Sequence, residues 1–165
     1  MKKFALLICI VFLISYVSNA QAPIEPGEKQ INAGIGLSTF GLPLYAGLEI
    51  GLDNNISVGG ELSYRKYTRL SSWSPSIITV AGLANYHFHE LLDIPSEWDL
   101  YAGLTAGYSI WSYSGTSSAL RAGRSRIFLA GQVGGRYYLS DNFAINVELG
   151  GGTYSGGKIG VTFVI

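Results

Sequence analysis

Residues 44–67 read LYAGLEIGLDNNISVGGELSYRKY, and this stretch decides the fold. Apolar residues occupy every second position from 44 to 52, and they alternate again, with one glycine among them, from 56 to 64. A period of two is typical of a β-strand whose two faces meet different environments. Between the two runs, Asp53-Asn54-Asn55 tolerates the backbone of a tight turn. The stretch therefore predicts a β-hairpin.

The same alternation restarts along the chain and predicts eight strands, at 29–39, 44–52, 56–67, 77–88, 99–113, 127–139, 143–154 and 157–165. Eight evenly spaced strands fit a sandwich or an up-and-down barrel. Short connections follow strands 2 and 6, and longer ones follow strands 3 and 5, although the connection 89–98 and those after strands 1 and 7 break this rule. Short and long connections at opposite ends favour an all-β, eight-stranded antiparallel up-and-down transmembrane β-barrel.

The N-terminal residues predict secretion. Lys2 and Lys3 precede the apolar run 4–17, and Ser18-Asn19-Ala20 supplies small residues for cleavage, so 1–20 is predicted to be a signal peptide. The run is too short for a spanning helix, which needs roughly 20 residues. Residues 21–28, with two prolines, form a predicted periplasmic leader, and 29–165 form the barrel. The chain's one cysteine, Cys9, lies in the signal peptide, so no disulfide is expected.

The two faces of the predicted strands differ in a way that indicates which one meets lipid. The polar face is rich in glycine, which makes room in a narrow lumen for large neighbours: Tyr45, Tyr67, Tyr101, Trp111 and Tyr138. The other face carries Leu, Ile, Val and Ala, with tyrosines near the strand ends, where a lipid interface favours aromatic residues: Tyr64, Tyr86, Tyr108 and Tyr137. The apolar face is therefore predicted to face lipid. A soluble barrel of the lipocalin type is the alternative.

Four segments resemble a known family: GLDNNISVGGELSY, ANYHF, DLYAGLTAGY and GGRYYLSDNFAINVELGGG. They are similar to the porin-family, OmpA/OmpX-like small outer-membrane β-barrel proteins. The resemblance implies the outer membrane of a Gram-negative bacterium, both termini in the periplasm, a monomer, and contact with outer-membrane lipids and the assembly machinery. That machinery often reads a terminal aromatic residue, whereas here Phe163 lies two positions before Ile165.

The polar face also carries six charges: Glu49, Glu61, Arg65, Arg136, Glu148 and Lys158. Unpaired charges would be costly in a narrow interior, so they are expected to form ion pairs. Counting back from the turn at 140–142 puts Arg136 within two residues of the position opposite Glu148, which predicts a pair between them. The sequence thus predicts a plugged lumen and a structural or surface-interaction role. A narrow, gated channel for small solutes is the alternative.

A second group of basic residues falls in or beside the second and third outer loops: Lys66, Arg69, Arg121, Arg124 and Arg126. Most acidic residues fall at the opposite end of the predicted barrel. Guanidinium groups bind phosphate through paired, charge-assisted hydrogen bonds. We call these five residues the basic rim and expect it to contact anionic lipid, with lipopolysaccharide as the candidate ligand. With 11 basic and 11 acidic residues, the whole chain gives no argument for nucleic-acid binding.

The sequence favours neither a metal site nor an enzyme. His87 and His89 lie near Glu90 and Asp93, but no third convergent ligand can be placed, so both histidines are expected at a water-facing strand end. Barrels that resemble lipid A deacylases need a histidine and a serine close together. No His-x-Ser occurs here, and the loop serines lack a base. We therefore expect no metal, no cofactor and no catalysis.

Overall fold

The computed structural model describes residues 24–38, 41–66, 74–114, 125–150 and 156–165. They form a closed barrel in which each strand pairs antiparallel with the next and β1 pairs with β8. The strands are β1 (Lys29–Leu37), β2 (Leu44–Asp53), β3 (Ile56–Lys66), β4 (Ser74–His87), β5 (Trp98–Ser114), β6 (Arg126–Ser140), β7 (Phe143–Gly150) and β8 (Gly157–Val164). The predicted eight-stranded up-and-down barrel is confirmed.

The connections divide between two ends of the barrel. Residues 54–55 join β2 to β3, and 141–142 join β6 to β7, at what we call the turn end. Residues 88–97, which include the one-turn helix α1 (His89–Leu92), join β4 to β5 at the same end. The opposite ends of the strands, where β1 ends at Leu37, β3 at Lys66, β5 at Ser114 and β7 at Gly150, form what we call the loop end. No helix in the part of the chain that the structure describes is long and apolar enough to cross a membrane.

The outer surface of the barrel is an apolar belt. Leu48, Leu62, Val80, Leu104 and Val147 are among its exposed residues. Aromatic rings pair on this surface at the turn end, with centroid distances of 5.2 Å for Tyr86–Phe88, 4.8 Å for Trp98–Tyr137 and 5.0 Å for Phe143–Phe163. Such a surface would be unfavourable in water, and it matches the apolar band with aromatic girdles of transmembrane barrels.

Glycines let large side chains fill the interior, as the sequence predicts. A Cβ on Gly134 would lie 2.3 Å from the Tyr101 ring, and one on Gly160 would lie 2.5 Å from the Tyr45 hydroxyl. Real Cβ atoms do not approach other atoms so closely, so both tyrosines depend on the missing side chain. The lumen is therefore filled by packed side chains, as expected for eight strands.

The last residues of the predicted leader fold against the turn end. Glu25-Pro26-Gly27-Glu28 forms a turn in which Gly27 has φ 86° and Glu28 N–H donates to the Glu25 carbonyl at 3.0 Å. Gly27 N–H donates to the Gly51 carbonyl at 2.8 Å, and Gly51 N–H to the Glu28 carbonyl at 3.0 Å. Ile24 is buried as a result. The leader's end is therefore part of the packed barrel.

Candidate functional site

The polar interior of the barrel holds a closed circuit of five side chains, which we call the lumen ring: Glu49, Ser57, His87, Asp99 and Arg136. Each comes from a different strand, β2 to β6 in order, and each occupies an inward position toward the turn end. All five are almost completely shielded from solvent. Buried charges of this kind are tolerated only when they are paired and hydrogen-bonded.

The contacts within the lumen ring close on themselves. His87 Nδ1 lies 2.7 Å from Asp99 Oδ1, and His87 Nε2 lies 2.8 Å from Ser57 Oγ. The Ser57 hydroxyl donates to Glu49 Oε1. Arg136 completes the circuit, because Nη2 donates to Glu49 Oε2 and Nη1 donates to Asp99 Oδ2 at 2.9 Å.

His87 is held from both sides, because one ring nitrogen faces the Ser57 hydroxyl and the other faces the Asp99 carboxylate. Since the Ser57 hydroxyl also donates to Glu49, the two carboxylates of the lumen ring are joined both through Arg136 and through Ser57 and His87.

A second group, which we call the lysine cluster, lies on the loop-end side of the lumen ring and contains Glu61, Glu148 and Lys158. Lys158 Nζ is 2.6 Å from Glu61 Oε2 and 2.8 Å from Glu148 Oε1. The Tyr101 hydroxyl donates to Glu148 Oε2 at 3.1 Å, and Lys158 Nζ lies 5.0 Å from the centroid of the Tyr45 ring. One ammonium thus holds carboxylates from two other strands.

Neutral side chains fill the space between the two groups. Asn32 Nδ2 donates to Glu49 Oε2 at 3.0 Å, and Thr162 Oγ1 donates to Asn32 Oδ1 at 2.6 Å. Asn146 then connects Thr162 to the Tyr45 hydroxyl. On the other side, Asn85 donates to Glu49 Oε1 at 2.8 Å and accepts from Gln132 at 2.6 Å. Hydrogen bonds therefore run from the lumen ring to the Tyr45 hydroxyl, and the Tyr45 ring in turn contacts Lys158 of the lysine cluster.

The structure brings five of the six predicted lumen charges into these two groups, but in other pairs. Glu148 lies opposite Gly134, two residues from Arg136, as counted from the turn. The prediction that Arg136 and Glu148 form a direct ion pair is nevertheless wrong. Arg136 reaches across the lumen to Glu49 and Asp99, while Glu148 pairs with Lys158, its cross-strand partner on β8. The sixth residue, Arg65, is buried on β3 nearer the loop end.

Sequence reasoning missed His87 and Asp99. The expectation that His87 sits at a water-facing strand end is wrong, because its side chain is 0% exposed, as is that of Asp99. The two-residue alternation could have identified both residues as inward-facing. His87 lies two positions from the inward-facing Asn85, and Asp99 lies two positions from the inward-facing Tyr101. His89 lies apart, near the exposed Glu90. No group of three or more His, Cys, Asp or Glu among the described residues is placed to hold a metal ion.

Ser57, His87 and Asp99 have the hydrogen-bond order of a serine nucleophile, its base and the group that orients the base. Ser57 is 0% exposed, however, and its hydrogen is directed at Glu49 instead of His87. A lumen cavity lined by residues of both charged groups has a volume of only about 20 Å³. The buried Ser57 hydroxyl and its hydrogen bond to Glu49 make this arrangement part of the ionic lumen ring.

Two members of the basic rim lie among the described residues. Lys66 ends β3 and Arg126 begins β6, both at the loop end and both exposed. Arg69, Arg121 and Arg124 lie outside the described residues.

Taken together, a closed barrel of eight strands, an apolar exterior and a polar, filled interior define the class of small transmembrane β-barrels. Solved structures of outer-membrane proteins share this architecture. OprG from Pseudomonas aeruginosa matches with a TM-score of 0.63 and 12% identity, over 86% of this chain and 97% of that one. Neisserial surface protein A matches with a TM-score of 0.58 and 15% identity, over 84% of this chain and 95% of that one.

A third similar structure is the Yersinia pestis outer membrane protein Ail in a phospholipid bilayer nanodisc. Its TM-score is 0.53 at 17% identity, over 84% of this chain and 99% of that one. No protein-family model and no curated protein matches the chain. The chain thus has the fold of an OmpA/OmpX-like outer-membrane β-barrel, and at these identities the likeness concerns the fold alone.

Proposed function

We propose that this protein is a non-conducting outer-membrane barrel with a structural or surface-interaction role. The observation that carries the proposal is the pair of buried networks, the lumen ring and the lysine cluster, whose ion pairs and hydrogen bonds cross the lumen. Side chains from β2 to β6 meet in the lumen ring, and the lysine cluster adds β7 and β8. The cavity that lies between the two groups has a volume of about 20 Å³. Both termini are proposed to lie in the periplasm.

Conductance measurements in planar bilayers test whether the side chains that fill the lumen block the passage of ions. The wild-type protein should show no steady current, because an ion would have to displace buried, paired charges to cross. A variant that removes the ammonium of the lysine cluster, Lys158→Ala, should show more frequent openings than wild type. The matched control is Lys29→Ala, since Lys29 is exposed at the turn-end start of β1. Steady wild-type conductance would instead favour the narrow channel for small solutes.

Location has its own test. The protein should fractionate with outer membranes, and an unheated sample should migrate differently from a boiled one on a gel, because the folded barrel resists detergent until it is heated. Recovery of a freely soluble monomer without detergent would contradict the membrane assignment and favour a soluble barrel.

We further propose that the basic rim binds phosphate groups of anionic lipid, with lipopolysaccharide as the candidate ligand. The support is the exposure of Lys66 and Arg126 at one end of the barrel and the three further arginines near them in sequence. Replacing Arg121, Arg124 and Arg126 by glutamine should weaken binding to lipopolysaccharide and reduce its salt dependence. Lys29→Gln, which changes an exposed charge at the opposite end, is the matched control. Equal binding by the triple variant and wild type at low and high salt would contradict the proposal.

A further inference from the structure

The longest connection at the turn end holds two exposed leucines. Residues 54–55 and 141–142 are polar two-residue turns, whereas the connection 88–97 contains the one-turn helix α1. On that helix Leu91 is 69% exposed and Leu92 is 54% exposed. An exposed apolar patch that goes beyond scattered single residues marks a contact with a partner or a membrane. The two leucines are therefore candidates for such a contact.

The helix places both leucines on the face of Phe88, the residue before its first turn. Residues three and four apart share one face of a helix, and Leu91 and Leu92 follow Phe88 at these spacings. The Leu92 N–H donates to the Phe88 carbonyl at 2.9 Å and closes the turn. The Phe88 ring packs on Tyr86 of the outer surface, with centroids 5.2 Å apart. The leucines therefore continue the apolar belt beyond the end of β4.

Both ends of the connection lie among the aromatic residues that rim the belt. It begins at Phe88, beside Tyr86, and it leads into Trp98, whose ring lies 4.8 Å from that of Tyr137. Aromatic side chains of this kind favour the interface between lipid and water. An α-helix rises about 1.5 Å per residue, so the four residues of α1 span only about 6 Å. The helix consequently stays close to the level of these rings.

The acidic residues of the connection indicate the chemistry of the contact. Two residues correspond to about 200° around a helix, so Glu90 lies on the face opposite Phe88. Glu90 and Asp93 are both exposed, and they would repel an anionic surface. The helix thus has an apolar face that continues the belt and an acidic face turned away from it.

We propose that α1 is an interfacial anchor, in which Leu91 and Leu92 insert between the headgroups and acyl chains of zwitterionic phospholipid at the turn end while Glu90 remains in water. A helix with one apolar face lies in the plane of a membrane in this way. The lipid that surrounds the belt is the occupant because the leucines are continuous with that belt. The proposal rests on the membrane-spanning barrel of the proposed function.

Single cysteines that carry the fluorophore NBD give the first test, in a Cys9→Ser full chain reconstituted in phosphatidylcholine vesicles with iodide on both sides. Spin-labelled phospholipid, with the label near the headgroup, should quench NBD at Leu91→Cys. Iodide should quench it several-fold less than at Glu90→Cys, the matched control on the opposite face of α1. Leu104→Cys, in the middle of β5, should be quenched best by a label deep in the acyl chain.

The outcomes separate failure of this proposal from failure of the membrane barrel. Equal iodide access at Leu91→Cys and Glu90→Cys, with Leu104→Cys shielded, would overturn the anchor and leave the barrel in the membrane. Iodide access at all three positions would contradict both. Shielding of Leu91→Cys that disappears when each vesicle holds one barrel would identify a second copy as the partner and would also overturn the anchor.

Urea titration in the same vesicles, without the fluorophore, gives the second test. Leu91→Ser combined with Leu92→Ser should lower the urea midpoint of unfolding, because it removes apolar contact with lipid. If the two leucines faced water, such surface changes would have little effect. Glu90→Ser, the control on the opposite face, should leave the midpoint nearly unchanged. An unchanged midpoint for the double serine variant would overturn the proposal.

Discussion

Arg136 bridges two buried carboxylates, so its removal should be among the most damaging single changes in the lumen. Arg136→Met leaves Glu49 and Asp99 without their guanidinium partner. Breaking a buried ion pair by removing one partner costs about 3–5 kcal/mol, because the other charge remains buried and uncompensated. We expect a loss of unfolding free energy of that size, measured by urea titration in lipid vesicles.

A pair of double-mutant cycles makes this prediction specific. Glu49→Gln combined with Arg136→Met should cost less than the sum of the single changes, because the two residues interact directly. Glu148→Gln combined with Arg136→Met should be closer to additive, since Glu148 makes its ion pair with Lys158. A larger coupling for Glu148 than for Glu49 would show that the sequence-derived pairing was right and that the pairing in the structure is not.

Two glycines on β6, Gly131 and Gly134, should respond in opposite ways to alanine. A Cβ on Gly134 would meet the Tyr101 ring at 2.3 Å, so Gly134→Ala must displace a side chain that contacts both Arg136 and Glu148. We expect a cost of about 1–3 kcal/mol, the usual range for overpacking. Gly131 has nothing within 4 Å of its added Cβ, so Gly131→Ala should be neutral or stabilising by about 0.4–1 kcal/mol. Equal effects in the same urea titration would contradict this.

The lumen shows what alternation can and cannot predict for individual residues. Parity alone correctly assigned Glu49, Arg136 and Lys158 to the interior. Parity could not predict the ion pair between Arg136 and Asp99, because inward side chains in a narrow barrel contact each other across the lumen as well as along neighbouring strands. These contacts across the lumen depend on the stagger of the strands and on side-chain length, and the two-residue alternation of the sequence carries no information about either.

At the scale of elements, the turn at residues 25–28 depends on Gly51. A Cβ at Gly51 would lie 2.2 Å from the Glu25 carbonyl oxygen, and a backbone atom cannot move aside as a flexible side chain can. Gly51→Ala should therefore displace the turn and expose Ile24. Cys9 is the chain's only cysteine, so Ile24→Cys in a Cys9→Ser background becomes a unique reporter.

A soluble thiol reagent should label Ile24→Cys slowly in the parent chain and several-fold faster when Gly51→Ala is added. Asn54→Cys, in the exposed turn between β2 and β3, should react quickly with or without Gly51→Ala. Rapid labelling of Ile24→Cys in the parent chain would show that the turn does not pack against the barrel.

The strands themselves were largely predictable, because each has one apolar and one polar face. The main difference is β4, which begins at Ser74 instead of residue 77. Its first residues, Ser74-Pro75-Ser76, show no apolar alternation, and they pair with Tyr113 and its neighbours on the long β5. Pairing with a longer neighbouring strand can thus extend a strand beyond the residues that show apolar alternation. Proline is tolerated at the start of such a strand.

At the scale of the whole molecule, contact between the apolar belt and lipid predicts that a charged residue introduced on the belt destabilises the barrel by an amount that depends on its depth in the bilayer. Leu104 lies in the middle of β5 and is 58% exposed, while Leu52 lies near the turn-end terminus of β2 and is 59% exposed. The two therefore differ in depth and hardly in exposure. Arginine at the midplane of a bilayer costs about 2–4 kcal/mol, and near the interface only about 0–1 kcal/mol, because there the side chain reaches water.

Leu104→Arg should consequently lower the unfolding free energy in lipid vesicles well below that of Leu52→Arg. A soluble barrel predicts something else: both arginines would sit in water, and neither change would cost more than a few tenths of a kcal/mol. Equal and small effects would therefore contradict a membrane-spanning barrel even if the fold were unchanged. A large effect at Leu104 alone would place the middle of the strands in the hydrocarbon core, which is where a lumen filled with paired charges has to be shielded by the apolar belt around it.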